Sequence, residues 1–416
     1  MIIWLFQTGE PLPSDDGAPR PMRAMNLANA LVQKGHRVVL WSSGFYHQTK
    51  THRCKTFTRI QVAENLEVRL IPSSGYKTNI SISRLYDHYV LAWNFRKQLK
   101  CPDEIPDVAF VGYPPIEAAY VLVKWLKGRN VPSILDVKDQ WPKILTDSFP
   151  HPLRAFARIL MSPYYMMAKR TMLDATGICA HTNSFVDWSL SFSNRKPGIN
   201  DFVAPLTTPE DSIATKELSG AASWWTEQGV KQKKAGLRLM FVGSFSRAFD
   251  FAAVFSAADQ LRSQNVDCEF ILCGDGERDS DLRSKAKSYD NIRIVEWIDR
   301  PRIVALARLS DVAIAPYKNT GDFITSIPNK IIDSLMLGLP ILSPLEGEVA
   351  RLIDKYKVGL SYDSNFLLSD CVKLLITDDQ AHKQMSSNAK SLYESHFDFN
   401  TIYNGLALHL ENMTSL

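Results

Sequence analysis

The chain has 416 residues, 45% of them hydrophobic and 22% charged, which is ordinary globular composition and excludes disordered or fibrous classes. At ~100–200 residues per domain it should fold as two domains, and no apolar run reaches the ~18 residues of a membrane-spanning helix. Residues 1–200 carry 25 Lys and Arg against 15 Asp and Glu, whereas residues 201–416 carry 23 against 29; the basic half points to an anionic partner, a membrane surface or a phosphorylated substrate. Nucleic acid is not indicated, because no Arg/Lys run is interleaved with aromatic residues.

The opening run Ile2-Ile3-Trp4-Leu5-Phe6 is too short for a signal-peptide core and reads as a buried first strand. Strand-like and helix-like segments then alternate, which predicts α/β architecture with parallel sheets. In the first half the predicted strands lie near 2–7, 37–42, 66–71, 107–111, 132–137 and 177–180. The predicted helices lie near 20–34, 81–100 and 153–171. The loop from Gly9 to Arg23 follows the first strand and holds Gly17, Arg20 and Arg23. Loops at that end of a strand line ligand sites in α/β folds, and Arg20 and Arg23 on one helical face suit an anionic acceptor or simply decorate the helix. Strand 132–137 runs out into Asp136-Val137-Lys138-Asp139-Gln140-Trp141-Pro142, where a carboxylate serves site chemistry, a helix cap or an ion pair.

Two helices join basic to apolar residues. Leu85, Tyr89, Ala92, Trp93 and Phe95 accompany Arg84, Arg96, Lys97 and Lys100; Leu153, Phe156, Leu160, Tyr164 and Met167 accompany Arg154, Arg158, Lys169 and Arg170. Such helices dock on anionic lipid or face a core with solvated basic backs.

A boundary is expected near 200–236, where Thr207–Thr215 is polar and Lys231–Gly236 forms a charged turn. A second series follows, with strands near 237–242, 268–273, 291–295, 311–315 and 340–343. This predicts two Rossmann-like domains, 1–200 and 201–395, with helix 396–416 returning to the first, and a ligand cleft where the two face each other.

Three second-half segments carry chemistry. Leu239–Arg247 is a buried strand, a Gly243-Ser244 loop and an arginine; glycine admits close backbone approach, and Arg247 suits a diphosphate. In Ser326–Pro340, Ser326 reads as an N-cap with Pro328 in the first turn, so the N–H groups of Ser326 and Ile327 suit a phosphate. Lys330 and Asp333 share a helical face, placing a cation near phosphates and a carboxylate near a ribose diol; an ordinary ion pair explains them equally. Cys273-Gly274-Asp275-Gly276 falls short of a dinucleotide fingerprint, and Asp279-Ser280-Asp281 sits where a helix start favours acids in any case. The lone His151 and His181 read as structural, and the six scattered cysteines as reduced, mostly buried thiols.

In order along the chain, GAPRPMRAMNLANALVQKGHRVVLW, DVKDQWP, FVGSF, ILCGDGE and IPNKIIDSLMLGLPIL resemble the motifs of the retaining GT-B-fold glycosyltransferases of family 4, in a bacterial surface-polysaccharide subgroup. The resemblance implies transfer of a sugar from a nucleotide-diphosphate donor, UDP-linked in the first instance, to a glycan or lipid-linked acceptor in cell-surface polysaccharide or lipopolysaccharide assembly. It implies a hexosyl- or N-acetylhexosaminyltransferase with no metal or cofactor, in the cytoplasm or peripheral on the cytoplasmic face of the inner membrane.

By resemblance Asp333 holds the donor ribose. The family's other acid, eight positions earlier, falls on Thr325, with Asp322 as a substitute. Arg247 and Lys330 clamp the diphosphate with Ser326 and Ile327, Gly243 and Ser244 form the donor loop, and the base packs near Trp297 and Ile298. Asp139 is the candidate catalytic group near the sugar, with Gly17, Arg20, Arg23 and Lys138 on the acceptor side. Fixed cations would stabilise the leaving diphosphate as the bond breaks. Two other readings remain: a nucleotide-sugar 2-epimerase, and a glycosyltransferase-like partner module without turnover, favoured by Thr325.

Overall fold

The computed structural model describes residues 1–17, 20–79, 81–147, 149–210, 213–233 and 235–414. Ala18 and Pro19 of the predicted loop and Lys234 of the predicted turn lie outside them. The chain divides into two compact units, Met1–Pro205 with Asn400–Leu416, and Leu206–Phe399.

The first unit is built on an eight-stranded sheet. Across it the order is Phe202–Val203, Gly177–Ala180, Ser133–Val137, Val108–Tyr113, Ile2–Phe6, Arg37–Ser43, Leu66–Ile71 and Thr58–Ala63. All neighbours are parallel except the last pair. The central strands are buried along nearly their whole length, as a sheet covered on both faces requires. Trp4 stacks on Trp125 and meets Trp41 edge-on, with ring centroids 5.4 and 5.2 Å apart. The final helix, Phe399–Asn412, packs on this unit: Glu411 accepts from His36 at 2.6 Å, and His409 lies against Phe202.

The second unit holds a six-stranded, wholly parallel sheet, in the order Ile292–Val295, Cys268–Cys273, Leu237–Val242, Val312–Ile314, Ile341–Ser343 and Gly359–Ser361. Strand order reverses direction beside Leu237–Val242, the place where doubly wound sheets open for ligands.

Two predicted regions differ. The expected linker contains the helix Thr215–Glu227. Its polar residues face solvent while Leu218, Ala221 and Trp225 form one stripe against the core, and the buried Trp225 indole donates to the Arg302 carbonyl at 2.8 Å. The predicted helix 153–171 is two helices, Arg154–Leu160 and Ser162–Asp174, interrupted at Met161; Pro163 has no N–H for an uninterrupted ladder and fits the first turn of the second.

Candidate functional site

In the second unit the site grows from the loop after Leu237–Val242. Gly243 has φ +153°, and a Cβ there would fall 1.7 Å from Lys330 Nζ. The missing side chain is therefore the space the lysine occupies. A Cβ on Gly274 would fall 1.9 Å from the Gly243 carbonyl oxygen, so Gly274 lets two loops touch backbone to backbone rather than forming a dinucleotide fingerprint. The Gly243 and Phe245 N–H groups donate to the carbonyls of Cys273 and Asp275, leaving Ser244 exposed between them.

Lys330 is the second residue of the helix Asn329–Met336. Its ammonium donates to the Val242 carbonyl at 2.5 Å and lies over the rings of Phe241 and Phe249, at 5.1 and 5.6 Å from their centroids. Burial lowers its pKa to about 8, against the opposing pull of Asp333. A half-buried ammonium held by one carbonyl and two ring faces is under-neutralised, and an arriving anion would restore its charge.

Asp333 lies one turn further on. Its Oδ1 accepts from the Thr208 hydroxyl at 2.6 Å, and Tyr393 donates to the Thr208 carbonyl at 2.5 Å. Thr208 and Tyr393 were not singled out from sequence, and no spacing signal joins them to Asp333.

The expected phosphate cap is different. The helix starts at Asn329 with Pro328 as N-cap, not at Ser326, because Pro328 takes an extended φ/ψ of −64°/151°. The Ser326 N–H is spent on the Phe323 carbonyl, and Ile327 packs its side chain against the core. Thr325, in the place of the family's first acid, donates its hydroxyl to the Gly321 carbonyl at 3.0 Å. Asp322 is exposed on the short helix Gly321–Ile324.

Arg247 extends into solvent, its side chain 85% exposed, and pairs with Glu277 at 3.4 Å. Glu277 also accepts from the Arg247 N–H at 2.8 Å, tying the loop to the GxG segment. Trp297 is an exposed ring, 62% accessible. Ile298 is a correction: it is buried in the core with Trp225 and Leu306, so its side chain is closed to a base. Asp279 and Asp281 are engaged by Arg283 and Arg278.

In the first unit a cavity of about 250 Å³ lies at the C-terminal ends of the central strands, with Gly9, Arg84, His88, Lys138 and Asp139 in its wall. Arg23 is not among them, which corrects its acceptor-side role. Its side chain, 4% exposed, holds Asp136 at 3.0 Å and donates to the Ala204 carbonyl at 3.0 Å. Arg20 is exposed and precedes the helix, which begins at Arg23, so the two share no helical face. Gly17 is exposed in a turn. Lys138 is engaged by Glu10 and lies 3.7 Å from Asp136.

Sequence reasoning missed the cavity's most telling side chains. On the helix Ile82–Gln98, residues 84, 87, 88 and 91 recur at i, i+3, i+4 and i+7, and all four line the cavity. An arginine, a carboxylate and a histidine on the inward face of a helix was the available signal. The opposite face exposes Ile82, Tyr86, Tyr89 and Trp93, whereas Ala92 and Phe95 are core and Leu85 is packed against it. On the other basic pair of helices Leu153, Phe156, Ile159, Leu160 and Met166 are exposed, and Tyr164 and Met167 pack inward.

Comparison with known proteins places these features. Residues 236–377 match the family described as glycosyl transferases group 1. A segment of 155 residues is 21% identical to the Salmonella typhimurium protein named WcaL, assigned as a colanic acid biosynthesis glycosyltransferase; the match spans 36% of this chain and 38% of that relative. Among solved structures, sucrose-phosphate synthase from Thermosynechococcus elongatus has a TM-score of 0.69 at 13% identity, over 100% of this chain and 99% of that one. HepE from Anabaena, solved with UDP, has a TM-score of 0.63 at 14% identity with 100% of both chains covered. WaaG, a glycosyltransferase involved in lipopolysaccharide biosynthesis, has 0.63 at 13% over 99% of both. The fold is GT-B over the whole chain.

Proposed function

We propose that this chain is a retaining glycosyltransferase that moves a hexosyl or N-acetylhexosaminyl group from a UDP-sugar to a glycan or lipid-linked acceptor in cell-surface polysaccharide assembly. The observation that carries the reading is the pair Lys330 and Asp333 on one helix, with Gly243 vacating the space the lysine fills. In this reading Asp333, held by Thr208, accepts from the donor's ribose hydroxyls, and Trp297 supplies an exposed face for the base. Lys330, joined by Arg247 when its side chain swings in from solvent, neutralises the diphosphate.

As the sugar–phosphate bond breaks, negative charge collects on the leaving diphosphate. Cations fixed beforehand stabilise that charge more in the transition state than in the bound donor. No metal is required by this scheme. The acceptor is assigned to the first unit's cavity, with Asp139 at its wall. HepE binding UDP, and the roles named for WcaL and WaaG, support the donor and the pathway class. No helix among the described residues is long and apolar enough to cross a membrane. The exposed aromatic stripe on Ile82–Gln98, flanked by Arg96 and Lys97, supports peripheral docking on an anionic bilayer. Absence of binding to anionic vesicles even at low salt would remove that part.

Calorimetric titration of UDP, GDP and ADP, then of their sugars, tests the donor site. One nucleotide should bind, and Asp333→Ala should weaken it by at least about tenfold, the effect of a lost charged hydrogen bond. Thr325 favours one rival, a partner module without turnover. Folded wild-type protein that binds no nucleotide would make that rival the better reading.

A further inference from the structure

Within the second unit the Asp333 side chain is held from outside its own helix. Among the described residues its one hydrogen bond comes from Thr208, whose hydroxyl donates to Oδ1 at 2.6 Å. No lysine or arginine among those residues lies within ion-pair distance of it. Lys330, three positions earlier on the helix, gives its ammonium to the Val242 carbonyl instead. Asp333 is half-buried, whereas Thr208 is 2% exposed. One carboxylate oxygen is therefore engaged inside the protein, and the other has no partner among the described residues.

Thr208 is itself fixed. It belongs to no helix or strand and is the third residue after the chain enters the second unit at Leu206. Such a stretch is ordinarily mobile. Here the Tyr393 hydroxyl donates to the Thr208 carbonyl at 2.5 Å, and the Thr207 hydroxyl donates to the Phe397 carbonyl. Tyr393 and Phe397 bound a single π-helical turn and bury their rings in the core of this unit. Turns of this kind are rare and recur at functional sites. The two bonds from Tyr393 and Thr207 already fasten the segment. What the bond from Thr208 to Asp333 adds is an orientation for the carboxylate.

We propose that Thr208 is a positioning residue for the donor: its hydroxyl presets Asp333 so that the site selects a ribonucleotide over a deoxyribonucleotide. The proposal rests on the reading of Asp333 as the ribose ligand, and it narrows the donor class to sugars carried on a ribonucleoside diphosphate. A free aspartate side chain loses rotamer freedom when it accepts from a vicinal diol. Thr208 imposes that order when the protein folds, before any donor arrives. A carboxylate has about four acceptor sites; the threonine hydroxyl fills one, and those left suffice for both ribose hydroxyls. A sugar lacking one hydroxyl leaves a preset carboxylate with an acceptor unmet. A site built to bond a hydroxyl rejects the analogue without it for this reason. Without Thr208 the carboxylate is free to turn toward water, and the discrimination fades.

The test is calorimetry on the full chain, with whichever of UDP, GDP and ADP binds tightest and with the 2′-deoxy form of that nucleotide. Circular dichroism confirms that each variant is folded. Wild type should prefer the ribonucleotide at least about tenfold, the effect of one hydrogen bond to a charged group. Thr208→Val keeps the shape and deletes the hydroxyl. It should lower ribonucleotide affinity to within about threefold of the deoxy form, and leave deoxy affinity unchanged within about twofold. Thr208→Ser, which keeps the hydroxyl, should restore most of the preference. In an Asp333→Ala background the valine should make no further difference, because Thr208 acts through the carboxylate. A merely structural role would lower both affinities together, or only the unfolding midpoint. Where the valine variant does not fold, Thr208→Ala is read on the same scale.

A variant without the hydroxyl overturns the proposal if it keeps the wild-type preference, loses both nucleotides alike, or adds its loss to that of Asp333→Ala. A serine variant without preference does the same. Retained preference in the wild type with an insensitive Thr208 sinks this proposal alone. A wild type that binds both nucleotides equally removes the ribose role of Asp333 together with the proposal. A folded wild type that binds no nucleotide overturns the donor reading as a whole.

Discussion

Arg23 in the first unit and Lys330 in the second are cations near the C-terminal ends of interior parallel strands, the first buried and the second half-buried, and they are held in opposite ways. Arg23 faces Asp136 with two hydrogen bonds near 3.0 Å and gives its remaining N–H groups to backbone carbonyls and Cys179. Burial works against its charge, but Asp136 outweighs it and holds the guanidinium above its ordinary pKa. Lys330 has a carbonyl and two ring faces, and burial prevails, lowering it to about 8. A cation whose valences are met inside the protein is structure. A cation left partly unmet beside a glycine-floored loop is prepared for a ligand that brings its own negative charge.

Breaking the first arrangement should have the largest effect. Arg23→Ala leaves the Asp136 carboxylate, about 2% exposed, charged in the sheet with its hydrogen-bonding partner gone and only Lys138, at 3.7 Å, still facing it. The expected loss is about 3–5 kcal/mol from the first unit, read as an earlier urea transition. Replacing both partners, Arg23→Met with Asp136→Leu, should recover much of it, because the cost lies in the orphaned charge. A single variant within about 1 kcal/mol of wild type would contradict the structural assignment.

Breaking the second should leave stability nearly intact and remove function. Lys330→Met keeps the stem packed on Phe241 and Phe249 and deletes the charge. Nucleotide-diphosphate affinity should fall at least about tenfold, with unfolding changed by no more than about 1 kcal/mol. The pH dependence sharpens this. The free lysine loses its proton near pH 8 and the bound diphosphate favours the protonated form, so wild-type affinity should decline as pH rises through about 8. For stability the sign is opposite: the folded pKa lies below the unfolded lysine's 10.5, so protonation favours the unfolded chain and stability rises with pH between about 8 and 10.5. Both slopes should flatten in the methionine variant. Calorimetry from pH 7 to 9.5 measures the first and thermal unfolding over the same range the second.

The contrast also explains what could be read from sequence. The second unit's site is local in the chain: strand, glycine loop and helix carry their residues within short segments, so Gly243, Lys330 and Asp333 stand out by type and spacing. The alternating α/β pattern was legible for the same reason, since hydrophobic periodicity is local. Thr208 was not, because it reaches Asp333 from a polar stretch 125 residues away. Ser326 misled because the serine resembles an N-cap, while Pro328 sets the extended backbone that starts the helix. Arg23 looked like a ligand because its partner Asp136 is distant in sequence. The first unit's cavity was unreadable as a motif for the same physical reason: segments after five strands meet one helix face, and only the sheet brings them together.

The smallest expected effect concerns a group between these two cases. Glu117 is buried, accepts from Tyr164, and keeps Oε2 unpartnered. Burial raises its pKa to about 7, despite the opposing Tyr164 hydrogen bond. A carboxyl whose folded pKa is raised favours the folded state fully below its unfolded pKa near 4.5, and that contribution is lost as pH rises through about 7. Glu117→Gln is neutral at every pH and can still accept from Tyr164. It should match wild type near pH 5 and exceed it by about 1–3 kcal/mol at pH 8, in proportion to a shift of this size. If the variant is no more stable than wild type at pH 8, the carboxylate is satisfied in solution by a partner such as a bound cation or water. If the advantage grows with pH as expected, then the carboxyl 3.7 Å from His88 Nδ1 is uncharged below about pH 7 and meets the imidazole as a neutral group.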